Sequence, residues 1–133
     1  MINSEHLKKC WIKIDKAKGT DAFVEIFFRQ LFNDYPETRQ LFSGDLDRQK
    51  SNLLTTLDNV INGFEYINII EKEFIQLGDY HKKIGITAEM FNAFNSTILS
   101  AANEASDFSL TEDESSAWKS AFEQISNIML KNY

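Results

Sequence analysis

The sequence predicts an all-α fold on three observations. Apolar residues recur every third or fourth position, no run alternates apolar with polar as a strand does, and breakers are scarce, with one proline and five glycines in 133 residues. No internal repeat, low-complexity tract or Ser/Pro-rich linker divides the chain, so residues 1–133 read as one domain.

About seven helices follow from that periodicity. The first is expected to begin at Ser4, to turn Leu7, Trp11 and Ile14 inward and to fray before Gly19. Thr20 is read as the cap of a second, running through Phe23, Phe27, Phe28, Leu31 and Phe32 to Asn33-Asp34. Pro36 suits the first position of a short third helix ending at Leu41-Phe42, with Ser43-Gly44-Asp45 as a turn. A long helix is expected from about Asp47 to Gly63, and another from about Ile70 to Lys83, stopping at Gly85. Thr87 is read as capping the next, with Phe91, Phe94, Ile98 and Ala102 inward. Thr111 with Glu114 three residues later forms a capping box for the last, whose inner stripe is Trp118, Phe122, Ile125 and Met129. The uneven connections predict a packed helical globule more than a symmetric bundle.

Composition narrows the function. Eleven Phe against four Tyr and two Trp need something large to pack on, either one another or a flat apolar ligand. The net charge of −6 argues against nucleic acid and anionic membranes as partners. The single cysteine, Cys10, rules out an internal disulfide and suits a reducing compartment. No stretch has the length and apolarity of a membrane span, and Met1-Ile2-Asn3-Ser4-Glu5 has no signal-peptide core. The expectation is a soluble cytoplasmic protein.

Two polar residues interrupt apolar stripes. His81 falls on the stripe Phe74, Leu77, His81, Ile84, and Gln49 on the stripe Leu46, Gln49, Leu53, Leu57, Val60, Phe64. A buried imidazole or carboxamide without a partner costs a few kcal/mol, so two on adjacent helices suggest something polar between them. An imidazole suits an iron ligand and an amide can donate a hydrogen bond opposite it. Each could equally bond a backbone carbonyl or a water, and on spacing alone the two readings stand level. Zinc is poorly served, since there is no Cys cluster or HExxH and His6 reads as a surface residue. Phosphate-binding glycine loops and a GxSxG elbow are absent too.

Four segments in order resemble the globins, most closely the single-domain bacterial globins related to the haemoglobin part of flavohaemoglobins. They are FFRQLFNDYPETRQLF (Phe27 to Phe42), DRQKSNLL (Asp47 to Leu54), LGDYHKKIGI (Leu77 to Ile86) and AWKSAF (Ala117 to Phe122). The resemblance implies a globin fold enclosing haem b, with His81 as proximal iron ligand and Gln49 as the polar distal residue. It puts Leu53 over the iron, Phe28 facing the gas and Phe42 against the haem, with Leu77, Ile86, Phe91, Phe94 and Phe122 completing a dry pocket. The implied function is reversible binding of dioxygen, CO or NO at ferrous iron, of the oxygen transport or storage type, rather than catalysis. Two alternatives are an NO dioxygenase-type enzyme fed by a separate reductase, and a sensor or interaction module on the same fold.

Departures from the family matter here. Phe28 stands where a Tyr is frequent, and Phe91 and Tyr133 line up with a Tyr and a Glu that tighten hydrogen bonding to the proximal His. The network that supports oxygen-activating chemistry is therefore expected to be missing. A chain ending at Tyr133 is expected to leave no room for a flavin reductase domain. Asn52 occupies a position often held by a basic partner of the haem propionates, for which Lys50, Lys82 and Lys83 are candidate replacements. His81 is expected to give its second ring N–H to a backbone carbonyl or a Ser/Thr-type acceptor, which would fix its tautomer.

Overall fold

The computed structural model describes residues 3–42 and 44–133, so the part of the expected turn at Ser43 and the first two residues of the chain lie outside the described residues. Within them are six α-helices and no strand: α1 Ser4–Lys16, α2 Thr20–Asp34, α3 Leu46–Asn62, α4 Glu71–Lys83, α5 Ala88–Ala105 and α6 Glu112–Met129. The expected short third helix is Pro36–Phe42, wound as a 3-10 helix. Two further 3-10 turns, Phe64–Tyr66 and Leu130–Asn132, were not foreseen.

The helix starts follow from local chemistry. Asn3 caps α1 by accepting the Glu5 and His6 N–H groups, and the Asp45 carboxylate caps α3 by accepting the Arg48 N–H, one residue ahead of the expected boundary. At α6 the predicted capping box forms: Thr111 Oγ1 accepts from Glu114 N at 3.1 Å and Glu114 Oε1 accepts from Thr111 N at 2.9 Å. Two expectations are corrected. Thr20 is the first residue of α2 and not its cap; the cap is Gly19, at φ +95°, a left-handed backbone that glycine adopts without strain. Thr87 does occupy the cap of α5, but its side chain makes no capping hydrogen bond.

One end of the molecule is solid. α1 packs on α6 and α2 on α5, around a cluster in which Trp11 stacks on Trp118 and both meet the edge or face of Phe23 at 5.7–5.8 Å. The Trp118 indole donates to Ile98 O at 3.2 Å, so the largest fully buried side chain leaves no polar atom unpaired. A part-buried ion pair crosses the same seam, Lys13 Nζ donating to the buried Glu114 Oε1 at 2.6 Å. Burial would raise the Glu114 carboxyl, but the Lys13 ammonium and the Thr111 N–H outweigh it and hold the group below its usual range. Cys10 lies between them, fully buried, its thiol pushed up to about 12 by burial and by Glu114.

The other end is open. α4 leans on α6 and on the Leu130–Asn132 turn but has no substantial contact with α3. Its approach to α6 is very close: a Cβ placed on Gly78 would lie 2.0 Å from Met129 O. The Lys131–Glu71 ion pair ties the terminal turn to the same helix.

Candidate functional site

The gap between α3 and α4 is a cavity of 720 Å³, in the range of sites that enclose a small molecule or cofactor. Its inner wall is α2, where Phe27, Phe28 and Leu31 are buried. Phe28 meets Phe42 edge-to-face at 5.1 Å, and Phe42 in turn leans on Phe32 at 5.7 Å. Much of the phenylalanine excess is spent here, as one wall of rings whose π-faces and edges fit one another. Gln49, Leu53, Leu57 and Val60 of α3 form the second wall, Phe74, Leu77 and His81 of α4 the third, and Phe91, Phe94, Phe122 and Ile125 of α5 and α6 the floor.

Every residue singled out from the sequence as a pocket residue lines this one cavity: Phe28, Phe42, Gln49, Leu53, Leu77, His81, Ile86, Phe91, Phe94 and Phe122. His6 does not; it is half-buried in the first turn of α1. Ile84 departs from its expected inward stripe, since it is 44% exposed and forms part of the cavity mouth beside Tyr80. α4 ends there, and Gly85 at φ +97° turns the chain away.

His81 is the chemically distinctive group. Its ring makes no hydrogen bond among the described residues, and Nδ1 is buried without a partner. The acceptor expected for its second N–H is therefore missing. Nε2 is not among the buried unpartnered atoms, so it is the nitrogen that keeps accessible surface for a ligand. Burial lowers the affinity of the ring for a proton, which favours the neutral, ligating form. In place of a hydrogen bond, the ring is held by packing: Phe91 lies edge-on at 6.1 Å, and Tyr133 meets Phe91 at 5.7 Å. The Tyr133 hydroxyl does not reach the imidazole but donates to Ile86 O at 3.0 Å. No carboxylate takes part in this stack.

The opposite wall supplies two amides, Gln49 and the more exposed Asn52. Gln49 is half-buried with no side-chain partner among the described hydrogen bonds, while Phe28 and Leu53 around it offer no donor. The basic residues proposed from sequence are engaged elsewhere or lie off the cavity. Lys50 pairs with Glu25 at 3.0 Å, Lys82 turns to the Asn132 and Tyr133 carbonyls at 3.4 Å, and Lys83 is not on the wall. Sequence reasoning passed over Thr38, Arg48 and Met90, which also line the space. The spacing of Arg48, four residues before Asn52, was the signal available for that residue.

No group of three or more His, Cys, Asp or Glu side chains able to hold a metal occurs among the described residues, so any metal here would rest on His81 and on a cofactor's own donors. No helix among them is long and apolar enough to cross a membrane.

Comparison with known proteins agrees with this geometry. The Globin family model matches residues 25–129. A flavohemoprotein of Halalkalibacterium halodurans is 20% identical over 118 residues, covering 86% of this chain, which spans only 29% of that relative's length. A bacterial globin from Campylobacter jejuni superposes with a TM-score of 0.79 at 18% identity, over 96% of this chain and 91% of its own. An engineered carbene transferase from Rhodothermus marinus does so with a TM-score of 0.79 at 20% identity, over 97% and 91%.

Proposed function

From the premise that this chain belongs to the globin family, we propose that it holds haem in the cavity and reversibly binds dioxygen or another diatomic gas there. The observation that carries the reading is a single unpaired imidazole on the wall of a largely apolar 720 Å³ cavity, its proton affinity lowered by burial, with the Gln49 amide on the facing wall. The residues fit the group. Flat aromatic and branched walls suit a porphyrin, and Nε2 of His81 is free to take iron. The cofactor is haem b, held without covalent attachment, since Cys10 is buried in the α1–α6 seam and its Sγ donates to Glu114 O at 3.2 Å.

Bound there, haem supplies the iron at which a gas is held. The chain's own residues do the rest. His81 would hold the iron from α4, and Phe28, Leu53, Phe91, Phe94 and Phe122 would exclude water from it. Gln49 can donate one hydrogen bond to a ligand whose outer atom carries partial negative charge, worth ~1–2 kcal/mol. With phenylalanine at position 28, the α2 wall of Phe27, Phe28 and Leu31 offers no second donor. His81 has no carboxylate or carbonyl partner at Nδ1 among the described residues that would increase its basicity as a ligand. Both features favour carriage or storage over an oxygen-activating enzyme.

The test is an absorption spectrum of the purified protein, oxidised, reduced and under CO, for the parent and for His81→Ala. The parent should show a Soret band with one haem per chain, and His81→Ala should lose it while staying largely helical. A normal band and stoichiometry in the variant would place the iron elsewhere. Rapid NO consumption with an external electron donor would replace carriage with the enzymatic reading.

A further inference from the structure

α3 has one side without a protein neighbour, since it makes no substantial contact with α4 and its inner face looks into the cavity. A helix in that setting is located by its other contacts. The second half is well held: Leu57, Val60 and Ile61 are buried, and the Trp11 indole donates to Asp58 Oδ1 at 3.1 Å. The first half is held less, for Leu46, Leu53 and Leu54 are only half-buried, and Gln49 lies among them. Two side-chain hydrogen bonds join α3 to other helices among the described residues, and the one in this half is Lys50 Nζ donating to Glu25 Oε2 of α2 at 3.0 Å. The Lys50 side chain is only 20% exposed, so it lies along the protein to reach that carboxylate.

The pair fastens together the two helices that carry the residues facing His81 across the cavity. Phe28 is one turn beyond Glu25 on α2, and Gln49 and Leu53 flank Lys50 on α3; all three line the cavity. Any drift of the first half of α3 moves the Gln49 amide with it, and a hydrogen bond weakens steeply with distance and angle. Building on the gas-binding reading above, we propose that Glu25 and Lys50 are positioning residues for Gln49. Neither meets the ligand: the ion pair fixes the start of α3 on α2 and so holds the amide where a bound gas can accept from it. The arrangement favours ligands with a charged outer atom, because only these depend on where the amide lies.

The experiment measures dioxygen and CO release in the parent, Glu25→Gln, Lys50→Met and the charge exchange Glu25→Lys with Lys50→Glu, and repeats Glu25→Gln in a Gln49→Leu background. Either single change should speed dioxygen release about two- to fivefold at low salt, the scale of an exposed ion pair. Added salt should shrink the gap, and CO release should change much less. The charge exchange should recover at least part of the loss. With Gln49→Leu in place, Glu25→Gln should alter neither rate, since no amide is left to position. Hydrogen exchange on the same purified proteins should quicken at residues 50–54 in Glu25→Gln and stay as in the parent at residues 57–61. Unaltered dioxygen release in both single variants, equal acceleration of both gases, or an effect that survives Gln49→Leu overturns the assignment and leaves the haem reading standing. So does unchanged exchange at residues 50–54. If the parent binds no haem or no gas, both readings fall together.

Discussion

Gly78→Ala is the sharpest perturbation the structure offers. The added methyl would stand 2.0 Å from Met129 O, 2.7 Å from its carbonyl carbon and 2.8 Å from its Cα. All three are backbone atoms, which cannot swing aside as the end of a long side chain would. Ordinary contact begins at 3.4 Å, so α4 and α6 must part by about 1.4 Å along that line. Overpacking of a close seam typically costs ~1–3 kcal/mol, and the rigid opponent puts this case at the upper end. Alanine's better helix propensity offsets only ~1 kcal/mol of that. His81 lies three residues on, on the same face of α4, so an error of that size at Gly78 is carried to the iron ligand. Iron–nitrogen bonds tolerate a few tenths of an ångström, and haem affinity should fall more than apoprotein stability does. Denaturant titration of the apoprotein and haem titration by Soret absorbance would measure both. Gly44→Ala, where a Cβ meets nothing within 4 Å, is the control. Parent-like stability and haem affinity in Gly78→Ala would show that the seam yields freely, and the positioning argument would fail.

Three further outcomes are expected. Gln49→Leu should speed dioxygen release about tenfold and change CO release much less, because CO carries little charge on its outer atom; Phe28→Tyr should slow dioxygen release. Equal effects of Gln49→Leu on both gases in stopped-flow measurements would make Gln49 a steric gate. Because burial lowers the proton affinity of His81 in the fold, the unfolded chain takes up a proton first as pH falls below about 6.5. Apoprotein stability should therefore decline through that window, and less so in His81→Phe; identical pH profiles would remove the ring from the linkage. Lys13→Met leaves the Glu114 carboxylate buried without its cation and should cost about 2 kcal/mol at pH 7. Since that carboxyl is held below its usual range, the loss should shrink as pH falls below about 4.5, and a penalty independent of pH would contradict the pairing.

The helices were legible because burial on one face writes a period of three to four into the residues, and the Thr111–Glu114 box is local enough to read directly. Gln49 and His81 stood out for the same reason: a stripe exposes its exceptions. What escaped depends on the path of the backbone or on distant partners. Gly19 caps α2 through a left-handed backbone, which a neighbouring Thr disguises. Lys50 is claimed by Glu25, a residue of a different helix. The Nδ1 acceptor expected for His81 required a carbonyl or hydroxyl in place, and among the described residues none reaches it. Arg48 sits one position from Gln49, where a helical wheel drawn for the core counts it as solvent-facing, yet it lines the cavity while staying exposed.

The contrast between the solid and the hollow end has a consequence in time. α1, α2, α5 and α6 complete their contacts with side chains the chain already owns, whereas α3 and α4 face each other across a gap. Before any cofactor arrives, amide hydrogens around Trp11, Phe23 and Trp118 should therefore exchange only on global opening, while those of α4 exchange through small, frequent fluctuations. Assembly should then have two stages, the tryptophan end setting first and α4 settling last against a surface already in place. On that expectation the helix that carries the imidazole arrives late, and exchange in α4 should slow once a cofactor fills the gap.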